Sequence, residues 1–220
     1  MNKINVCVVD DHKIFRKAMI RLLKSFDRIG NVTDAENGIE CLRIMKTTPA
    51  DVVLLDLEMP VMDGADTAER LLTRFPETKI IVLTMHSNEH YMVHMIDMGV
   101  HSFLQKNTDP IELERAIVSV VERDFFHNEV LSAALKRHAL EHKKGIRPSF
   151  GDKVVLTDRE QEVLQLLCSE KTIKEISASL HISESTASVH KHNLMEKIGA
   201  KSMVGLVKYA YAKGILTNPL

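Results

Sequence analysis

The 220-residue chain has no tryptophan, only three cysteines, and aromatic residues at 5% of its positions. It also lacks any long apolar run. Val6–Val9 and Ile80–Leu83 are among the longest, far short of the roughly 20 residues that cross a bilayer. No apolar leader opens the chain, so neither a membrane span nor export is expected. Cys7, Cys41 and Cys168 are odd in number and widely spaced, which excludes a disulfide framework or a zinc motif and suits a reducing cytoplasm. A dominant charge is missing too, since 29 Lys and Arg stand against 30 Asp and Glu. A strongly basic domain would have announced nucleic acid by charge alone; here any such reading has to come from pattern. No internal repeat or low-complexity tract is found.

What is present is an ordinary globular composition, 45% hydrophobic and 27% charged, in a chain long enough for two domains. The balanced charge hides an asymmetry. Residues 1–125 carry 15 basic against 20 acidic side chains, residues 126–151 carry 5 against 2, and residues 152–220 carry 9 against 8.

Short β-branched runs at Ile4–Val9, Ile29–Ala35, Val52–Asp56, Lys79–Thr84 and His101–Gln105 alternate with amphipathic stretches. Ile14, Ala18, Leu22 and Leu23, then Ala68, Leu71 and Leu72, then Ile111, Ala116, Ile117 and Val120 recur at helical spacing. This predicts an α/β fold, a (βα)5 doubly wound parallel sheet with helices on both faces. The expected domain spans residues 1–124.

Residues 125–151 read as a linker: Val130, Leu131, Ala134 and Leu135 form a helical stretch before Lys143-Lys144-Gly145-Ile146-Arg147-Pro148-Ser149. Residues 152–220 then read as a small all-α domain of four helices. Thr157-Asp158-Arg159-Glu160 is a capping box before Val163, Leu164, Leu166 and Leu167. Thr172 with Glu175, Ser183 with Thr186, and Lys201-Ser202 mark three further helix starts.

Four polar positions stand at the ends of apolar runs: Asp10-Asp11, Asp56, Thr84 and Lys106. A parallel sheet gathers the carboxyl ends of its strands at one edge, where open α/β folds hold ligands. Taken singly, Asp11 reads as the cap of a helix beginning near His12, and Asp56 as a loop acid. Taken together, converging carboxylates repel one another unless a cation sits among them. Mg2+ suits such oxygen ligands and bridges carboxylates to phosphate. An oxygen of Asp56 is then placed to attack phosphorus, with Lys106 neutralising phosphoryl oxygens and Thr84 bonding one.

These residues resemble the receiver domain of two-component response regulators, a flavodoxin-like fold. The likeness rests on Asp10-Asp11, on Asp56-x-x-Met59-Pro60-x-Met62-Asp63-Gly64, on Thr84, and on Gly99-x-x-x-Phe103-Leu104-x-Lys106. It implies Asp56 as phospho-acceptor for a sensor histidine kinase. It also implies Mg2+ bound by Asp11, Asp56 and the backbone carbonyl of Glu58, with Asp10 helping largely through water. Thr84 and Phe103 become a switch pair acting on the surface formed by the fourth helix, the fifth strand and the fifth helix of the receiver. Phe103 stands where the family often has Tyr and donates no hydroxyl hydrogen bond.

The C-terminal segment reads as a helix-turn-helix, with His181-Ile182-Ser183 as the tight connection and Ser183 to Gly199 as the helix entering a major groove. The run from Leu156 through Lys174-Glu175-Ile176-Ser177 to Lys197-Ile198 is similar to the LuxR-type domain, so the whole chain resembles a NarL/LuxR-type response regulator. That likeness implies double-stranded DNA as partner and a homodimer when phosphorylated. Ser188, Val189, Lys191 and His192 would face the groove, with Thr186, His190, Asn193 and Lys197 near phosphates. Ser188 and His192 stand where relatives often carry cations, which shrinks the counterion-release contribution. The expected protein is a cytoplasmic transcription regulator and not an enzyme beyond self-dephosphorylation at Asp56. One rival is a Mg2+-dependent phosphatase or phosphotransferase using Asp56 as nucleophile, which would want a second aspartate where Glu58 stands. The other is a regulator independent of phosphate whose receiver serves only as a dimerisation scaffold. His86, His90 and His94, four apart, read as solvated or interfacial, and Met92, Met95 and Met98 as packing.

Overall fold

The computed structural model describes residues 2–85, 89–145, 154 and 156–216; the side chains of residues 89, 90 and 138–145 are not described. Contacts divide the chain into two units, residues 1–87 with 100–126, and residues 88–99 with 127–220.

The first unit holds strands β1 (Ile4–Val9), β2 (Ile29–Ala35), β3 (Val52–Asp56), β4 (Lys79–Thr84) and β5 (Ser102–Gln105). They form one parallel sheet in the order β2-β1-β3-β4-β5. Central β3, Val-Val-Leu-Leu-Asp, is buried along its whole length, as a strand covered on both faces must be. Edge strand β2 is only intermittently buried. One face carries Val6, Val8, Leu54, Ile81, Leu83 and Leu104. It is covered by Met19 and Leu23 of α1 (Lys13–Leu23) and by Leu113, Ala116, Ile117 and Val120 of α5 (Pro110–Arg123). Helices α2 (Gly38–Thr47) and α3 (Gly64–Arg74) bury Cys41, Leu42, Met45, Ala68 and Leu71. The three cysteines are free and buried.

Ala18, Ile14 and Ile111, all expected on inward faces, point outward. Ile14 is 86% exposed and Ile111 is 71% exposed. Both belong to first turns that begin where β1 and β5 end, and a first turn at the sheet's edge overhangs the core. The buried stripe of α1 is Arg16, Met19 and Leu23 instead. The cap of α1 is His12, not Asp11.

Gly64 opens α3 where the chain turns back beneath β3. A Cβ there would run into the carbonyl oxygen of Asp56 and come within 2.7 Å of the Leu57 Cα, both backbone. Gly64→Ala is therefore expected to cost about 2 kcal/mol or more in denaturant unfolding and to displace Asp56. A loss below ~0.5 kcal/mol would show that the loop yields freely.

The second unit contains α4 (Glu89–Met98), α6 (Glu129–Gly145), α7 (Asp158–Cys168), α8 (Ile173–Leu180), α9 (Glu184–Ile198) and α10 (Met203–Ala212). Helix α6 runs on through Lys143 and Lys144, which the sequence reads as linker. Ala, Leu, Glu and Lys dominate its second half, all strong helix formers. Residues 146–151 of the expected linker, and 152, 153 and 155 of the expected C-terminal domain, lie outside the described residues. Capping boxes at Thr157/Glu160 and Thr172/Glu175 start α7 and α8, and Ser183 and Ser202 cap α9 and α10. On α4, Met92 and Met95 are buried and His94 is exposed; His86 and the His90 side chain lie outside the described residues.

Candidate functional site: an acidic pocket and a groove-reading helix

The register of the sheet brings the ends of β1, β3, β4 and β5 to one edge. Asp10 follows Val9, which pairs with Leu55; Asp56 pairs with Leu83; Thr84 pairs with Gln105, and the Lys106 N–H donates to the Thr84 carbonyl at 3.0 Å. Asp10, Asp56 and Thr84 are buried, at 1%, 4% and 6% exposure.

Lys106 is the hinge of the pocket. Its Nζ lies 2.7 Å from Asp56 Oδ2 and 2.8 Å from Asp10 Oδ2, and 5.2 Å above the ring of Phe15. The other oxygens are also engaged: Asp56 Oδ1 accepts from the Leu57 N–H at 2.8 Å, and Asp10 Oδ1 from the His12 N–H at 2.7 Å. Burial pushes the Asp56 carboxyl above its ordinary range, outweighing the hydrogen bond from Lys106. Burial also opposes the charge on Lys106, but the bonds to Asp10 and Asp56 outweigh it and its pKa is raised. One ammonium thus faces the Asp10 and Asp56 carboxylates, with Asp11 joining their cluster, and the carboxylates outnumber it, an excess of negative charge.

That excess, with oxygen donors converging, suits a hard divalent cation. One ligand atom from each of Asp10, Asp11, His12 and Asp56 lies within 4.8 Å of all the others. Glu58 is exposed in the loop after β3. That loop's described backbone bonds run from Gly64 to Leu57 and from Met62 to Pro60, leaving the Glu58 carbonyl out of them. Val61, in the same loop, holds φ at 72° and is 79% exposed. Phe103 is 1% exposed and lies on β5, two strands from Asp56 with β4 between them.

Sequence reasoning missed Arg16 and Phe15. Arg16 is buried, donates from Nη1 to the Asp10 carbonyl at 2.6 Å and bonds Asp34 at 3.1 Å, so it anchors the end of β1. Its signal was a cation among apolar positions of an amphipathic helix, one turn past the acidic pair.

In the second unit, α9 buries Ala187 and Leu194 and leaves Thr186, Ser188, Val189, His192, Asn193 and Lys197 exposed, with His190 and Lys191 half-buried. Val189 is 54% exposed, an apolar side chain facing outward from a helix. His181 in the left-handed conformation ends α8, and the Ile182 N–H returns to the Ser177 carbonyl at 3.0 Å, making the tight turn. Arg159 of α7 donates to the Leu180 carbonyl at 3.0 Å, bracing the pair. Lys197 is tied to Glu160 at 2.6 Å, and its ammonium holds that carboxyl below its ordinary pKa. His192 lies 3.6 Å from Glu196.

A five-stranded receiver sheet with an acidic edge, joined to a helix-turn-helix, defines the class of DNA-binding response regulators. Residues 6–118 match the response regulator receiver domain and residues 154–210 the luxR family of bacterial regulatory proteins, and the chain belongs to these families. It is 36% identical over 197 residues to the transcriptional regulatory protein YhcZ of Bacillus subtilis, covering 89% of each chain. It is 29% identical to the oxygen regulatory protein NreC of Staphylococcus carnosus, covering 97% of this chain and 99% of that one. Among solved structures it is similar to the RcsB response regulator of Salmonella typhimurium, described for its conformational dynamism in DNA interaction. There the TM-score is 0.58 at 28% identity, over 95% of this chain and 98% of that one. Among the described residues no helix is long and apolar enough to cross a membrane.

Proposed function

We propose that this response regulator accepts a phosphoryl group on Asp56 from a sensor histidine kinase and thereby alters its dimerisation and its binding to double-stranded DNA. The observation that carries the reading is the single ammonium of Lys106 held between two buried carboxylates at the sheet's edge. A carboxylate oxygen of Asp56 attacks phosphorus as the bond to the donor breaks. Lys106 then balances charge on the phosphoryl oxygens and Thr84 donates a hydrogen bond to one of them. Asp10, Asp11, Asp56 and the Glu58 carbonyl would hold Mg2+, which supplies electrostatic stabilisation of the transferring group. Water attack on the acyl phosphate ends the signal. The modification adds about −1.5 to −2 charges, enough to shift a pre-existing equilibrium through Thr84 and the inward-facing Phe103.

The receiver would run over residues 1–124, the linker over 125–151 and the DNA-binding domain over 152–220, in a cytoplasmic protein. Exposed Ser188, Val189 and His192, with Lys191, would reach base edges, while Thr186, His190, Asn193 and Lys197 approach phosphates.

Intact-mass and size measurements after incubation with acetyl phosphate and Mg2+ test the first half. One phosphoryl adduct with a larger particle or tighter DNA binding is expected, and no adduct would sink the phosphorylation mechanism. Fluorescence anisotropy against salt tests the second. Lys197→Ala should lower the salt slope by about 1, and Asn193→Lys, which adds a cation at a phosphate-facing position, should raise it by about 1. Unchanged slopes in both would remove α9 from the DNA interface.

A further inference from the structure

The pocket includes a side chain that the phosphoryl chemistry does not use. His12 is the N-cap of α1, yet its side chain makes no capping hydrogen bond, whereas Asn37, Asp63 and Asp109 all cap with theirs. Its ring is turned to the carboxylates instead. Nδ1 lies 2.8 Å from Asp11 Oδ1 and 3.3 Å from Asp10 Oδ1, while the side chain as a whole is 69% exposed.

Those separations match what one ion imposes on its ligands. Adjacent donors around an octahedral ion with bonds of about 2.1 Å stand about 3.0 Å apart, and the two Nδ1 distances bracket that value. We propose that His12 is a nitrogen ligand that turns this pocket toward late first-row divalent ions, of the Co2+, Ni2+ and Zn2+ class, in preference to Mg2+. The proposal rests on the pocket being a divalent-cation site.

The physical basis is ligand type. Mg2+ takes hard oxygen donors and sheds water reluctantly, so an imidazole adds little to its binding. The later ions bind imidazole well, and their affinity for a given nitrogen and oxygen site rises along the row. Metal binding through Nδ1 needs the neutral tautomer with its proton on Nε2, and an exposed ring gives that proton access to water. The competing role for the same geometry is a hydrogen bond from Nδ1–H to Asp11, which would leave ion preference untouched.

Calorimetric titration of the full chain with Co2+ and separately with Mg2+, in wild type, His12→Gln and His12→Ala, separates the two. The chain has 11 histidines, so only Co2+ that excess Mg2+ displaces is counted as pocket-bound. Both variants are expected to weaken that Co2+ binding by ~10-fold or more while Mg2+ affinity moves less than ~2-fold. A paramagnetically shifted imidazole N–H signal should appear in the proton spectrum of Co2+-loaded wild type and vanish in both variants. An unchanged ratio of Co2+ to Mg2+ affinity, with Mg2+ still bound, would overturn the role of His12 and leave the pocket intact. Failure of wild type to bind either ion would overturn both.

Discussion

Asp56→Asn is expected to take up no phosphoryl group from acetyl phosphate and Mg2+, and its DNA binding should no longer respond to that donor. An amide in place of the carboxylate offers no comparable nucleophile, and Lys106 keeps Asp10 as its partner at 2.8 Å. The same variant should be more stable than wild type at neutral pH, by a few degrees in thermal midpoint on the order expected for a small free-energy gain. The reason is that burial holds the folded pKa of Asp56 above its ordinary 3.8. A carboxylate with a raised folded pKa costs stability above that pKa, and the cost fades as pH falls toward the ordinary value. The advantage of the variant should therefore shrink on acidification. An adduct on the variant would move the acceptor elsewhere. A midpoint no higher than wild type at neutral pH would show that the pocket has no surplus of negative charge. Equal DNA binding by both proteins, with and without the donor, would favour a receiver that serves only as a scaffold.

Lys106→Met should act in the opposite direction. The Lys106, Asp56 and Asp10 side chains are 9%, 5% and 1% exposed, so screening by water is weak. Removing the only cation, among the described residues, within ion-pair distance of both carboxylates leaves them uncompensated, at a cost of about 3 kcal/mol in urea unfolding. A surface pair would cost less than about 1 kcal/mol, and a loss that small would overturn the account of the pocket. Mg2+ should restore more stability to the variant than it adds to wild type, since binding to the folded state alone stabilises it. The double variant Asp56→Asn/Lys106→Met should regain part of the loss, because one of the two orphaned charges is gone. Phosphorylation of Lys106→Met should fall by roughly 10²-fold, the scale of losing one fixed charge from a transition state.

The parallel sheet was legible because burial on two faces demands continuous apolar runs, and Val52–Asp56 has no other use for four consecutive apolar residues. The pocket was legible for a related reason: polar residues at the ends of such runs have to collect at one edge. Helix starts were legible where a side chain caps its own backbone, as Thr157, Thr172, Ser183 and Ser202 do, because that bond is local. Local rules failed at Ile14 and Ile111, whose spacing matches a buried face but whose position lies beyond the core. They failed again at His12, which occupies a cap position without capping.

By itself the sequence determined the order of elements, the set of carboxylates, hydroxyl and ammonium, and the helix-turn-helix, since each rests on periodicity or on contacts within a few residues. Only the tertiary structure decided who meets whom. It seated Lys106 between Asp10 and Asp56, put Arg16 under the end of β1, turned His12 into the pocket and bound Lys197 to Glu160. Except for His12, which meets its chain neighbours Asp10 and Asp11, these pairings join residues from separate turns or distant elements, and their distances follow from sheet register and helix packing, which no local pattern encodes.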